Sequence, residues 1–338
     1  MQYLIDHGLK LNLTGKSRDF QTAYRNTFDC REEGLGDYIL ILTRHDDSEV
    51  DQLSLSLAAL GIPMVRLNSD DVKAVTTTEV FMDGTMSLNG YHGRPRLVWR
   101  RHFAPEGIPV SQGVDQLERI YVQNQVEALG DTLTEVIERS INGDTTARTR
   151  LNQLRVAREC GFEVLSSWIG LQPSTPLGAA IAKPIGTHWV EYPSHELTGV
   201  MPKVVGDGFC ANLEKVPVLL QEYLEIEFEL RVFVAGEKMV AVSIWNCADA
   251  RSLWLDNSGL EMREEELDPK LESLIRNYCE RTKTELCAID FVVSDGYYYF
   301  LEANVLFDWV FYERLIETNV ISELFLHWIA KEFALVNS

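Results

Sequence analysis

Residues Leu286 to Trp309 read LCAIDFVVSDGYYYFLEANVLFDW, and this stretch decides the fold prediction. The run Ala288 to Val293 is apolar except for Asp290 and predicts a buried β-strand. The next residues, Ser294-Asp295-Gly296, predict a hairpin turn, because Asp-Gly readily adopts the positive φ angles of a two-residue loop. Tyr297 to Leu301 then predicts the returning strand.

Three polar side chains of this hairpin form a candidate metal site. The second strand ends in Glu302-Ala303-Asn304, and alternate side chains share a face, so Glu302 and Asn304 point the same way. Pairing across the hairpin can bring Asp290 close to them. Two carboxylates and an amide oxygen suit Mg²⁺ that bridges nucleotide phosphates. The alternative is a set of polar strand ends that face water, although burying charge without a partner or metal is costly.

The composition is ordinary for a soluble globular protein. At 338 residues the chain can form two or three lobes. Its formal net charge of −20 argues against a nucleic-acid partner, which would require a basic surface. The six cysteines show no CxxC pairing, which favours reduced thiols in a cytoplasmic protein. The first 20 residues lack the long apolar core of a secretory signal, and no apolar run approaches the roughly 20 residues of a membrane span, so we expect neither a secretory signal nor a membrane partner.

The order of elements predicts an α/β protein with four regions. These are an N-terminal extension over 1–36, an α/β domain over 37–142, a central lobe over 143–225 and a C-terminal lobe over 226–338. In the second region, the strand Tyr38 to Leu42 precedes a helix that ends at Gly61, and Pro63 to Leu67 is the next strand. A strand–helix–strand unit predicts a parallel sheet.

The lobes that follow are predicted from periodicity and turn residues. The predicted helices are Gly113 to Asn142 (one helix or a pair), Ala147 to Cys160, Asp268 to Lys283, and Val320 to Leu335. The predicted strands are Glu163 to Trp168, Ala179 to Lys183, Val218 to Tyr223, Phe228 to Ala235, and Lys238 to Trp245.

Three further places are candidates for ligand binding. Lys183 ends an apolar strand before Pro184-Ile185-Gly186 and can reach a phosphate as a point charge; the alternative is a solvated lysine. The segment Gln221 to Leu224 follows an apolar run and can offer backbone groups to an adenine edge, although by itself this signal is weak. Glu229 and Arg231 share a strand face, where Arg231 can grip a phosphate or carboxylate, or form a local surface ion pair.

In order and spacing, these pieces resemble the ATP-grasp fold, and more narrowly the microviridin-type (graspetide) ATP-grasp ligases that modify ribosomal peptides. The likeness spans about residues 38 to 330. It is carried by ILILTRHDDSEVD with PMVRLNSDD, LVWRRHF, RLNQLRVARECGFEVLSS, IAKPIG, LLQEYLEIEFELRVFVAGEKMVAVSI, and AIDFVVSDGYYYFLEAN with Trp309. The resemblance implies an ATP-grasp fold preceded by a parallel-sheet domain, and a homodimer.

The resemblance also implies a role for each candidate residue. Lys183 would contact the ATP phosphates, with Arg231 near a phosphate or a substrate carboxylate. The segment around the adenine would be Gln221, Glu222, Tyr223 and Leu224, with Glu229 as a further residue of the nucleotide site. Mg²⁺ would be bound by Asp290, Glu302 and Asn304.

Members of this family phosphorylate a side-chain carboxylate of a ribosomal precursor peptide, which has a leader and a core. A hydroxyl or amine of the same peptide then attacks the acyl phosphate and closes an ω-ester or ω-amide ring. One alternative is an ATP-grasp ligase for free amino acids or small peptides. Another is a degenerate paralogue that binds a peptide without catalysis.

The sequence departs from the family pattern at two places. The family usually continues Pro-Asn-Gly-Gln-Trp after the last metal ligand, whereas this chain has Val305-Leu306-Phe307-Asp308-Trp309. A lysine usually lies near the start of the RLNQL helix, where this chain has Arg148, Arg150 and Asn152. Both departures leave the three metal-ligand positions intact.

Overall fold

The computed structural model describes residues 36–88, 91–104, 115–170, 179–186, 189–191, 197–199, 202–205, 217–245 and 259–336. The expected N-terminal extension therefore lies outside the described residues, apart from Gly36. The described residues form two compact units. The first draws on 36–143, 308–310 and 325–336, and the second on 144–307 and 311–324.

The first unit is built on a mixed sheet with strand order β2-β1-β5-β4-β3, in which β6 also pairs with β5. Its strands are β1 (Gly36–Thr43), β2 (Met64–Asn68), β3 (Glu79–Val80), β4 (Met86–Leu88), β5 (Tyr91–Arg100) and β6 (Arg139–Ser140), and its helices are α1 (Ser48–Ala59), α2 (Val72–Thr76) and α3 (Gln116–Val136). Strand β1 runs parallel to β2 and β5, so the predicted parallel strand–helix–strand unit is confirmed.

Helix α1 begins where a carboxylate caps it. Asp47 has an extended backbone, and its side chain accepts a hydrogen bond from the amide of Val50 at 3.1 Å. Such a cap satisfies one of the amides that the first turn leaves without a helical partner. The apolar face of α1 covers the sheet through Val50, Leu53 and Leu57, all buried.

The capping Asp47 also contacts a buried arginine. The guanidinium of Arg101 lies 4.8 Å from the ring centroid of Trp99 and 5.1 Å from that of Trp309, and its Nε is 3.0 Å from Asp47 Oδ2. Burial raises the pKa of Asp47, but Arg101 and His102 outweigh it and hold that pKa below its usual range. Buried charges of this kind are stable because they are paired.

The second unit contains a four-stranded sheet, β11-β8-β12-β7, a five-stranded sheet, β15-β14-β13-β16-β17, and the pair β10-β9. The strands are β7 (Ser167–Gly170), β8 (Ala180–Lys183), β9 (Trp189–Glu191), β10 (Leu197–Gly199), β11 (Lys203–Val205), β12 (Val218–Glu222), β13 (Phe228–Ala235), β14 (Lys238–Trp245), β15 (Glu261–Glu265), β16 (Leu286–Ser294) and β17 (Tyr297–Asn304). The helices are α4 (Arg150–Cys160), α5 (Pro269–Thr282) and α6 (Val310–Ile316), while α7 (Val320–Val336) contributes to both units.

The predicted hairpin is β16 and β17, and its turn has the predicted conformation. Asp295 has φ +50° and Gly296 has φ +75°. The strands pair in register with Asp290 opposite Glu302, and a bulge follows, because the next pair is Phe291 with Phe300. The extra residue lets Phe300 and Ala303 both face the core, although they lie three positions apart.

One face of the five-stranded sheet is covered by α4 and α5. Alternate residues of β16, from Cys287 to Val293, pack in a core with Leu154 and Ala157 of α4 and Ile275 and Tyr278 of α5. Side chains of a strand alternate between faces, so Asp290 must point to the opposite face of the sheet. That opposite face carries the candidate site.

Two boundaries differ from the sequence prediction. The strand predicted over Glu163 to Trp168 is wrong in position, because pairing with β12 begins only at Ser167. Before Ser167, Glu163 forms only an isolated bridge to Tyr299, and Leu165 is apolar because it is buried. The helix predicted from Ala147 begins at Arg150. Thr146 instead donates its amide to the carbonyl of Thr282 at the end of α5, which holds this segment outside the helix.

Within the described part of the chain, no helix is both long and apolar enough to cross a membrane.

Candidate functional site

A polar patch lies on the face of the five-stranded sheet opposite α4 and α5. Strands β13 and β16 are antiparallel neighbours, and their register places Arg231 opposite Asp290. Arg231 Nη1 lies 3.1 Å from Asp290 Oδ1 and 3.3 Å from Oδ2. Glu229, two residues before Arg231, shares this face by the strand period of two.

The structure brings together the three residues predicted as metal ligands. Asn304 Nδ2 donates to Asp290 Oδ2 at 2.8 Å and to Glu302 Oε1 at 3.1 Å. The amide therefore links two carboxylates of adjacent strands. The alternative of separate strand ends in water does not fit this arrangement, because the side chains of Asp290 and Glu302 are only 22% and 18% exposed.

The sequence did not identify Arg150 as a site residue. Arg150 is the first residue of α4, and its Nε lies 2.8 Å from Glu302 Oε2. Its Nη1 donates to the carbonyl of Pro184 at 3.0 Å. The signal in the sequence was Arg150 itself, which stands near a position where the graspetide ligases that the sequence resembles usually have a lysine.

Lys183 and Gln221 meet on one face of the four-stranded sheet. Lys183 Nζ donates to Gln221 Oε1 at 2.9 Å, and Gln221 Nε2 donates to Ser167 Oγ at 3.1 Å. Gln221 is 1% exposed, so its side chain positions Lys183 within the protein. This chain of hydrogen bonds restricts the ammonium group to one part of the site.

The remaining residues of the predicted adenine segment lie at the end of β12. Glu222 and Leu224 are half-buried, and Tyr223 is exposed. The amide of Glu222 donates to the carbonyl of Ser166, and that of Tyr223 to the carbonyl of Ala179. Both amides are therefore used within the protein.

The charges of the site shift one another's pKa values. Burial raises the pKa of Asp290 to about 6, with Glu302 adding to the effect and Arg231 opposing it. Burial, with a contribution from Asp290, raises the pKa of Glu229 to about 7. Burial lowers the pKa of Lys183, which the nearby carboxylates partly counteract. Burial is the largest cause of each of these shifts, so Asp290, Glu229 and Lys183 lie in a region of low polarity where neighbouring charges act on one another.

Two aromatic rings pack against Arg231. Its guanidinium carbon lies 5.1 Å from the ring centroid of Tyr312 on α6 and 5.6 Å from that of Phe233. The two rings meet edge to face, with centroids 5.3 Å apart. Contacts between a guanidinium and ring faces favour one orientation of the arginine, so the rings hold Arg231 towards Asp290.

The donor set at the hairpin fits Mg²⁺. No group of three or more His, Cys, Asp and Glu side chains in the described ranges could hold a metal ion, so the candidate set is two carboxylates and an amide. Hard oxygen ligands of this kind suit Mg²⁺, which usually keeps several waters. Asn304 now donates from Nδ2, and a half-turn of its amide would present Oδ1 instead. The raised pKa of Asp290 shows that this position would gain from a further positive charge.

Several solved structures share this architecture over most of the chain. The macrocyclase MdnC from Microcystis aeruginosa MRC, bound to its precursor peptide MdnA, matches at 17% identity with a TM-score of 0.72, covering 87% of this chain and 99% of that one. A RiPP-associated ATP-grasp ligase from Chryseobacterium gregarium, in complex with ADP and a leader and core peptide, matches at 20% identity and TM-score 0.72, covering 88% and 97%. The ATP-grasp ligase PsnB, with a precursor variant, Mg and ADP, matches at 18% identity and TM-score 0.67, covering 86% and 97%.

This chain has the ATP-grasp fold. The predicted fold class is thereby confirmed, including the parallel strands of the N-terminal sheet. Identities of 17 to 20% establish a shared fold, while the bound peptides and nucleotides are properties of those other ATP-grasp proteins. No family model matches the sequence, and no curated protein matches it.

Proposed function

We propose that this protein is an ATP- and Mg²⁺-dependent ligase that acts on a ribosomal precursor peptide with a leader and a core. One observation carries the proposal: Asp290, Glu302 and Asn304 form one hydrogen-bonded cluster, and Arg231 and Arg150 form ion pairs with its carboxylates. The fold supports it, because solved proteins with this fold hold ADP, Mg and a precursor peptide.

The nucleotide would lie between the two sheets of the second unit. Asp290, Glu302 and Asn304 would hold Mg²⁺, which neutralises phosphate charge when it is bound. Lys183 would contact the phosphates from β8. Gln221 positions Lys183, so we assign the adenine contacts to the segment Glu222 to Leu224, with the amide of Leu224 as the donor.

The reaction would need no covalent intermediate on the enzyme. A carboxylate oxygen of the peptide attacks the γ-phosphorus of ATP, which gives an acyl phosphate and ADP. A hydroxyl or amine of the same peptide then attacks the acyl carbon, phosphate leaves, and an ω-ester or ω-amide ring closes with net loss of one water. Arg231 would orient the substrate carboxylate or the transferred phosphoryl group, and Glu229 would lie beside it; the protein mainly positions and neutralises charge.

We further propose a cytoplasmic homodimer. The sequence supports the location through its six cysteines, which show no CxxC pairing and so favour reduced thiols. The dimer follows from the graspetide resemblance. Gel filtration with light scattering would test the dimer, and a monomer would refute it.

The first test of the function is ligand-dependent thermal stability. A ligand that binds only the folded state stabilises it by about 2.7 kcal/mol at a hundredfold excess over Kd. We expect Mg²⁺ with a non-hydrolysable ATP analogue to stabilise the wild type, and the effect to weaken in Glu302→Gln. Glu264→Gln, at an exposed position on β15, is the control and should respond like the wild type.

A second measurement separates the proposed ligase from its alternatives. Incubation with ATP, Mg²⁺ and a co-encoded precursor peptide should remove one water per ring from that peptide, as mass spectrometry would detect. Nucleotide binding together with condensation of free amino acids would instead indicate a small-molecule ligase. Peptide binding without nucleotide binding would indicate a degenerate peptide-binding protein.

A further inference from the structure

Arg150 contacts a proposed metal ligand and the backbone next to Lys183 at the same time. Its Nε holds Glu302 Oε2 at 2.8 Å, while its Nη1 holds the carbonyl of Pro184 at 3.0 Å. Its side chain is 13% exposed. The guanidinium therefore lies between the metal-ligand cluster and the strand end that carries Lys183.

Glu302 consequently has two competing uses. In this structure one carboxylate oxygen accepts from Asn304 and the other from Arg150. A carboxylate that coordinates a divalent cation gives up at least one of these contacts. While Arg150 neutralises Glu302, the metal gains less from that carboxylate, and a free metal ion is expected to bind weakly.

A nucleotide changes this balance, because its phosphates are alternative partners for the guanidinium. The planar fork of arginine matches a phosphate with two parallel hydrogen bonds. The same fork lets Arg150 hold Glu302 and Pro184 together, which a single lysine ammonium on a flexible stem would do less well.

We propose that Arg150 is a positioning residue that couples nucleotide binding to metal binding. Without nucleotide, Arg150 holds Glu302; when phosphates bind, they take the guanidinium and release Glu302 to the metal. The inference rests on the proposed nucleotide site, and it assigns Arg150 a role that acts through Glu302. Such coupling is reciprocal, so the metal must also strengthen nucleotide binding by the same factor.

A purely structural ion pair makes a different prediction. Removing the charge of Arg150 would then raise metal affinity equally with and without nucleotide. In the proposed coupling, the same change raises metal affinity only in the nucleotide-free protein, because phosphates have already displaced Arg150 in the other state. The quantity that separates the two is the ratio of nucleotide affinity in Mg²⁺ to that in EDTA.

The experiment compares the wild type with Arg150→Gln by calorimetry with AMP-PNP, in Mg²⁺ and in EDTA, and by electron paramagnetic resonance with Mn²⁺ alone. We expect Arg150→Gln to bind Mn²⁺ about tenfold more tightly, and its ratio of nucleotide affinity in Mg²⁺ to that in EDTA to fall about tenfold. A change of about tenfold is the size expected when one partly buried charge pair is lost. Arg155→Gln is the matched control, because Arg155 lies on the same helix and pairs with Glu159 at the surface. Its ratio should equal that of the wild type.

The outcomes distinguish this inference from the proposed function. An unchanged ratio of nucleotide affinity in Mg²⁺ to that in EDTA in Arg150→Gln overturns the coupling, whatever the absolute affinity, and leaves the ligase proposal standing. If the wild type binds no nucleotide in either buffer, both proposals fail. If Arg150→Gln does not fold, Arg150→Lys decides the question, because lysine keeps the charge but lacks the planar fork. Its ratio of nucleotide affinity in Mg²⁺ to that in EDTA should fall below that of the wild type. A ratio equal to that of the wild type overturns the coupling.

Discussion

At the scale of single residues, Glu229 makes the stability of the fold depend on pH. Burial and Asp290 raise the pKa of Glu229 from 4.5 to about 7. Between these two pH values, the folded protein keeps a proton on Glu229 that the unfolded chain has lost. The stabilisation from protonated Glu229 is complete below pH 4.5 and is lost as the pH rises through about 7. Over this interval the wild type should therefore lose stability relative to a variant that cannot ionise.

Glu229→Gln should therefore become more stable relative to the wild type as the pH rises from 4.5 to about 7, and the difference should then level off. Urea unfolding across this interval measures it. Glu227→Gln is the matched control, since Glu227 is exposed two positions earlier in the chain. A constant difference between Glu229→Gln and the wild type at all these pH values would contradict the raised pKa.

Residue patterns predicted the part of the site that depends on local geometry. The strand period of two placed Glu302 and Asn304 on one face, and the hairpin turn placed Asp290 beside them. Arg150 could not be found in this way. Its contact with Glu302 depends on how the start of α4 packs beside β17, and no spacing within either element encodes that contact.

At the scale of elements, the turn of the β16–β17 hairpin depends on backbone conformation alone. Gly296 has φ +75°, and a Cβ added there would have no atom within 4 Å. The cost of Gly296→Ala is therefore conformational, about 1 kcal/mol or slightly more, because an L-residue in the left-handed region is strained. Chemical denaturation should show this loss with little change in nucleotide binding.

Asp295→Asn is the control for the turn, because asparagine tolerates the left-handed region. The free energy of unfolding of Asp295→Asn should stay close to that of the wild type, although residue 295 has φ +50°. A loss of several kcal/mol in Gly296→Ala would mean that the turn makes contacts beyond its own backbone, contrary to its open surroundings.

Elements were predicted well where apolar periodicity and turn residues coincided. The hairpin of β13 and β14 has the predicted bounds, Phe228–Ala235 and Lys238–Trp245. Strand β15, with sequence EMREE, was missed because an edge strand exposed on one face needs little apolar content. The bulge after Asp290 was also missed, since one inserted residue changes the pairing without any distinctive sequence mark.

At the scale of the whole molecule, the first unit is completed by residues from far along the chain. The carboxylate of Glu49 accepts hydrogen bonds from the amides of Trp309 and Val310, at 3.2 and 3.1 Å. The ring of Trp309 covers Arg101, and Arg139 Nη2 lies 3.0 Å from Glu332 Oε2 on α7. An isolated segment of residues 36–143 would therefore lack several of the buried contacts that it makes in the whole protein.

A fragment of residues 36–143 should not unfold cooperatively by itself. Without the chain around Trp309, Glu49 loses its two amide donors and Arg101 loses one of its two rings. Each hydrogen bond to a charged group contributes about 1.5–3 kcal/mol. Losing both is a large fraction of the total stability of a typical domain, which is about 5–15 kcal/mol. Thermal unfolding followed by near-ultraviolet circular dichroism tests this, and a peptide of residues 305–338 added in trans should restore a transition. A control peptide with Trp309→Ala should restore less, and cooperative unfolding of the fragment alone would show that the first unit is complete without these segments.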